Sequence, residues 1–126
     1  RSATHIAVAN PELARYGRAA VETLAHLGLT ETVADRIVTA ENVGQAYALV
    51  ATGAAELGLV ARSSVLAGDV RGGGWDVPPD HHAPILQAAI LLRHGKDNPA
   101  ALGFLAYLAS DAARPILAAH GYGPVK

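Results

Sequence analysis

One unit occurs twice in this chain and constrains its fold more than any other feature: a short apolar run, a polar loop that stops it, and a helix. In the first copy, within His5–Leu27, the run Ile6–Ala9 has the length and branching of a buried strand, and Asn10-Pro11 ends it. Ala20, Leu24 and Leu27 then recur at helical spacing, so a helix starts near Tyr16-Gly17. In the second copy Ile37–Ala40 is the strand, and Asn42-Val43-Gly44-Gln45 follows it. There an N-cap side chain and a glutamine three residues on can satisfy each other's backbone amides. The helix it opens runs from Val43 to Thr52 and closes at Gly53. The first amides of a helix have no partner within it, and the aligned peptide dipoles leave partial positive charge there. Each unit therefore offers an anion site that needs no lysine.

The remaining segments extend the alternation. Gly28 is placed to cap the first helix, and Thr30 to Asp35 reads as a short helical turn. Leu57 to Ala61 is a third strand, apolar on both sides as a strand covered on both faces should be. Arg62-Ser63-Ser64 opens a helical turn to Leu66. From Gly68 to Pro84 the signals are those of a loop: Gly72-Gly73-Gly74, Pro78-Pro79 and His81-His82 surround one short strand at Trp75 to Val77. Ile85 to Leu92 reads as a further strand, ended by Gly95-Lys96-Asp97. Asn98-Pro99 starts a helix to about Ala109, and Asp111 to His120 makes another that Gly121 stops. Strands alternating with helices predict an α/β fold with a mixed, mainly parallel sheet and helices on both faces. Residues 1–84 form one lobe; residues 85–126 either complete its sheet or belong to a neighbouring lobe.

Composition removes several function classes. The 126 residues suffice for one ordinary domain, and ten basic against eleven acidic side chains give a net charge of −1, with no long run of either sign. That is no electrostatic footprint for nucleic acid or an anionic membrane. The absence of cysteine excludes disulfides and thiolate metal sites, and the absence of methionine marks a chain processed or cut from something longer. No apolar run is long enough to span a bilayer, and the N-terminus lacks the pattern of a signal peptide. His81-His82 does not make a metal site, because adjacent histidines point apart in a strand and no cysteine supplements them. Gly72 to Gly74 lacks the Gly-Lys-Ser or Gly-Lys-Thr of a phosphate loop. Ser63-Ser64 has no glycine elbow and no assignable base. The expectation is a binding module without a cofactor, not an enzyme.

Several motifs, in order and spacing, resemble one family over nearly the whole chain. They are Ala7-Val8-Ala9-Asn10-Pro11-Glu12 with Tyr16-Gly17, Glu41-Asn42-Val43-Gly44-Gln45-Ala46, Glu56-Leu57-Gly58-Leu59-Val60, Gly95-Lys96-Asp97-Asn98-Pro99-Ala100 and His120-Gly121-Tyr122-Gly123. The chain is similar to the C-terminal half of the periplasmic molybdate-binding proteins of ABC transporters, within the type II periplasmic binding fold. The resemblance implies two α/β lobes closing on a buried oxyanion, with this chain supplying one lobe and a missing N-terminal lobe supplying the other donors. It implies a periplasmic location, a membrane permease as partner, and molybdate or tungstate as ligand.

Residue by residue, the resemblance implies that the backbone amides of Tyr16 and Val43 donate to the oxyanion, with Gly17 and Gly44 beside them. Some members add a tyrosine hydroxyl at the position of Ala61, which cannot supply it. Arg15 stands where proline is common. Asn10 and Asn42 could touch the ligand, but capping of their own loops is the favoured role for both. Without its native lobe, the segment from Ile85 onward exposes apolar faces and could refold on this lobe or exchange between two chains as a swapped homodimer. Two rival readings are an effector-sensing domain of a transcription regulator and a small α/β enzyme holding a phosphorylated substrate at the same helix ends.

Overall fold

A computed structural model describes residues 3–68 and 72–124. The chain divides into two compact units, Arg1–Ile85 and Leu86–Lys126.

The first unit is built on three parallel strands, β1 (Ile6–Ala9), β2 (Ile37–Ala40) and β3 (Leu57–Leu59), in the order β2-β1-β3. Ile6 faces both Ile37 and Leu57 across the ladder, and Ala9 faces Ala40. The first strand in sequence is thus the central one, and all four of its residues are buried. Because side chains alternate along a strand, its two faces feed two cores. Ile6 and Val8 pack with Ala20 of α1 (Arg15–His26) and Val33 of α2 (Thr30–Val33), joined by Leu24, Ile37 and Leu59. On the opposite face Ala7 packs with Ala40, Ala55 and Ala46 of α3 (Val43–Ala51), joined by Leu49 and Val50. Helices cover both faces, as the sequence predicts, and among the described residues every strand pairing is parallel.

The core on the α3 face is all alanine, and on the α1 face Ala20 is the small residue between Ile6, Val8 and Val33, so helix and sheet approach closely. Gly17 marks the tightest approach: a Cβ there would collide with the carbonyl of Ala9 and lie 2.7 Å from the carbonyl carbon of Asn10. Gly28 and Gly53 follow α1 and α3 at φ of 68° and 77°, the left-handed conformation that ends a helix. Thr23, the fully buried polar side chain of α1, returns its hydroxyl to the Ala19 carbonyl at 2.7 Å. After β3, α4 (Arg62–Ala67) completes the regular structure of this unit.

Two expected strands are corrected. Trp75 to Val77 and Ile85 to Leu92 take part in no ladder among the described residues. A strand exists only through a neighbour that accepts its backbone hydrogen bonds, and apolar composition does not supply one. Asp69–Arg71, within the expected loop, lie outside the described residues.

Among its described residues the second unit contains a 3-10 turn, Arg93–Gly95, and two helices, α5 (Pro99–Leu108) and α6 (Arg114–Ala119). Asn98 caps α5 by accepting from the Ala100 amide at 2.9 Å, with Pro99 in the first turn where its missing N–H costs nothing. The second helix starts later than Asp111. Pro115 sits in its first turn and would clash with the residue-111 carbonyl if the helix extended further back.

Candidate functional site

Strand β1 leads through the Asn10–Ala14 loop into α1 on one face of the sheet. The neighbouring strand β2 leads through Glu41-Asn42 into α3 on the other face. Adjacent parallel strands whose connections leave to opposite faces open a crevice at their carboxyl ends, the usual place for a ligand in an open α/β sheet. Both helix starts singled out in the sequence flank that crevice. The Asn10 amide donates to the Ala40 carbonyl at 2.7 Å, which extends the β1–β2 ladder into the loops and fixes the two turns to each other.

The two helix starts differ in how they are finished. At α3, Asn42 is extended, and its Oδ1 accepts from the Gln45 amide at 2.9 Å. The Gln45 Oε1 accepts from the Glu41 amide at 2.6 Å, one residue further back than the reciprocal box the sequence predicts. The Ala46 amide donates to the Asn42 carbonyl. The amides of Val43 and Gly44 find no acceptor among the described residues. They are first-turn N–H groups that the cap leaves without an intrahelical partner. Helix α1 begins at Arg15, one residue before the sequence suggests, and its N-cap Ala14 has no side-chain oxygen with which to cap it. Tyr16 and Gly17 fall in its first turn. Gly17 is buried against the β1 carboxyl end, which draws this turn onto the strand.

Asn10 is heavily committed to the loop. Its Oδ1 accepts from the Glu12 amide at 2.9 Å, and its carbonyl accepts from Leu13 and Ala14 at 3.2 and 2.9 Å. Ala61 is buried as the N-cap of α4, just beyond β3 at the same carboxyl edge, and presents only a methyl group. The nearby charges are mixed: Arg15 and Arg18 on α1, Glu12 and Glu41 in the loops, all exposed. No single sign of charge dominates at these helix starts. Two concavities lie elsewhere. One of about 180 Å³ is lined mainly by apolar groups, among them Val8, Leu24, Val33 and Ile37; another of about 190 Å³ runs along Arg15, Arg18, Glu22 and Ala83–Ile85. The first is too apolar to desolvate an oxyanion.

Residues 1–123 match the family described as bacterial extracellular solute-binding protein. The chain belongs to that family. The molybdate-binding protein ModA of Azotobacter vinelandii is 49% identical to this solute-binding chain over 121 residues, which are 94% of the chain and 48% of that protein. ModA of Rhodobacter capsulatus is 42% identical over 118 residues, 94% of the chain and 46% of that protein. A solved structure of the Azotobacter vinelandii periplasmic molybdate-binding protein superposes with a TM-score of 0.86 at 34% identity, covering 100% of the chain and 56% of that structure. The solute-binding chain thus spans about half the length of the relatives it matches.

Two side-chain assemblies of this chain were not legible in its sequence. Glu56, just before β3, clasps the start of β1. Its carboxylate accepts from the Thr4 hydroxyl at 2.7 Å and from the Thr4 and His5 amides at 3.2 and 2.8 Å. The Thr4 hydroxyl and then the His5 amide hold its pKa at about 2, below the ordinary 4.5. His81 stacks on His26 of α1, with ring centroids 4.0 Å apart. Partners 52 and 55 residues apart leave no local signal.

Proposed function

We propose that this chain is the ligand-binding lobe of a periplasmic solute-binding protein that takes molybdate and delivers it to the permease of an ABC importer. The observation that carries the reading is the convergence of two helix N-termini, α1 and α3, on the crevice at the carboxyl ends of β1 and β2. The similarity to proteins named for molybdate binding selects the anion. The amides of Tyr16 and Val43 donate to the oxyanion, Gly17 and Gly44 keep side chains away from it, and Asn10 and Ala61 line the approach. Donors alone suit a fully deprotonated dianion such as molybdate or tungstate. Phosphate keeps a proton near neutrality and would need an acceptor. The other donors come from the N-terminal half of the protein, which this chain does not span, and closure of the two lobes buries the ion. The apolar side chains exposed in the second unit, among them Leu86, Ile90, Leu92 and Phe104, support packing of residues 85–126 on that missing lobe. The role is binding and release, and no bond is made or broken.

Substituting Val43→Pro in the two-lobed protein tests the reading. Val43 is the first helical residue, where proline is tolerated, and Asn42 before it is already extended. The substitution deletes one N–H and leaves the helix. A hydrogen bond to a charged group contributes about 1.5–3 kcal/mol, so molybdate binding by calorimetry should weaken roughly 10- to 150-fold. Val43→Ala should bind as the parent does. Equal affinities for the proline and alanine variants would remove this amide from the site.

A further inference from the structure

The histidine pair His81-His82 lies outside the proposed anion site, and His81 is packed in an unusual way. Its side chain is 13% exposed, it stacks on His26 at 4.0 Å with an interplanar angle of 22°, and the Trp75 ring lies 5.9 Å away. Its Nδ1 is buried and has no hydrogen-bond partner among the described residues, whereas its Nε2 lies 4.0 Å from the Asp80 carboxylate. Two residues on, the Ala83 amide donates to the Glu22 carboxylate of α1 at 2.6 Å. The segment from Trp75 to Ala83 is therefore fastened to the C-terminal half of α1 by one ring stack and one charge-assisted hydrogen bond.

We propose that the His26–His81 stack is an acid-sensitive latch that holds residues 75–83 on α1 near neutral pH and releases them when both rings are protonated. Neutral His81 with its proton on Nε2 fits the site, because Nε2–H faces Asp80 and Nδ1 can remain a bare acceptor. A second proton must go to Nδ1, which is buried with nothing to accept from it, a costly position for a charged donor. His26 occupies the last turn of α1, where the helix dipole favours a cation. Two imidazolium rings stacked at this distance repel each other, and histidine is the side chain whose ordinary titration falls in this pH range. Among the other charged groups of these elements, the Glu22 carboxylate keeps its charge while it accepts from the Ala83 amide and, one turn before His26 on α1, attracts a cation there without separating the two rings. Asp76 lies 3.6 Å from Arg62, and the His82 Nδ1 lies 2.8 Å from the Ala83 carbonyl oxygen. Asp80 is 79% exposed, so solvent screens its attraction for the ring.

Trp75 is the only tryptophan in the sequence, so its emission reports the segment directly. Between pH 8 and pH 5 the emission should change sigmoidally. Hydrogen exchange of the Ala83 amide, corrected for its intrinsic pH dependence, should accelerate at least tenfold while the β1 amides stay protected. In His26→Gln, which keeps His81 and Trp75 but removes the second charge, the acceleration at Ala83 should disappear. A direct effect of His81 protonation on Trp75 would survive that substitution in the emission alone, so the exchange measurement decides. Unchanged Ala83 protection across the pH range, or an acceleration that persists in His26→Gln, would overturn the latch.

Discussion

Single residues decide how closely α1 approaches the sheet. Gly17 has backbone against the place its Cβ would take, and backbone cannot swing aside as the end of a side chain can. Gly17→Ala should therefore destabilise the fold by about 1–3 kcal/mol, the usual cost of overpacking, read as a lower urea midpoint at unchanged slope. The same displacement would move the first turn of α1, so molybdate affinity should fall in the two-lobed protein as well. The Tyr16-Gly17 pair stood out in the sequence because a strand, an Asn-Pro stop and a helical repeat are all local signals. That Gly17 is needed for the approach of α1 to Ala9 was not visible, because that contact exists only after folding. The same holds for Gln45. Its capping role was legible, but the identity of the amide it reaches, Glu41 rather than Asn42, depends on how the loop turns.

At the scale of elements, the two strand-loop-helix units carry their information locally, and they form where the sequence places them. The strand expected at Ile85 to Leu92 shows the limit, since a ladder needs a second strand that these residues do not encode. The Glu56 clasp on β1 is likewise beyond sequence reading, yet it has a measurable signature. Its pKa is depressed, so the carboxylate contributes its stabilisation fully above pH 4.5 and loses it as the pH falls toward about 2. Unfolding by urea at pH 5 and pH 2.5 should therefore show a loss of stability that is smaller in Glu56→Gln than in the parent chain. Thr4→Ala removes the shortest hydrogen bond to Glu56 and should reduce the pH dependence in the same direction.

At the scale of the whole molecule, the proposed function makes the chain one side of a site whose other side lies in the half it does not span. If that half supplies three donors, their absence costs about 4.5–9 kcal/mol, so this chain alone should bind molybdate at least roughly a thousandfold more weakly than the two-lobed protein. Comparative calorimetry of the two would show it. The central claim, that the helix starts at Tyr16-Gly17 and Val43-Gly44 hold the oxyanion, is tested most directly by backbone amide NMR shifts during a molybdate titration, because shifts register even millimolar contacts. The amides of Tyr16, Gly17, Val43 and Gly44 should move with molybdate and barely move with phosphate. Shifts confined to other amides, such as those beside Arg18 and Ala83, or equal responses to the two anions, would contradict it.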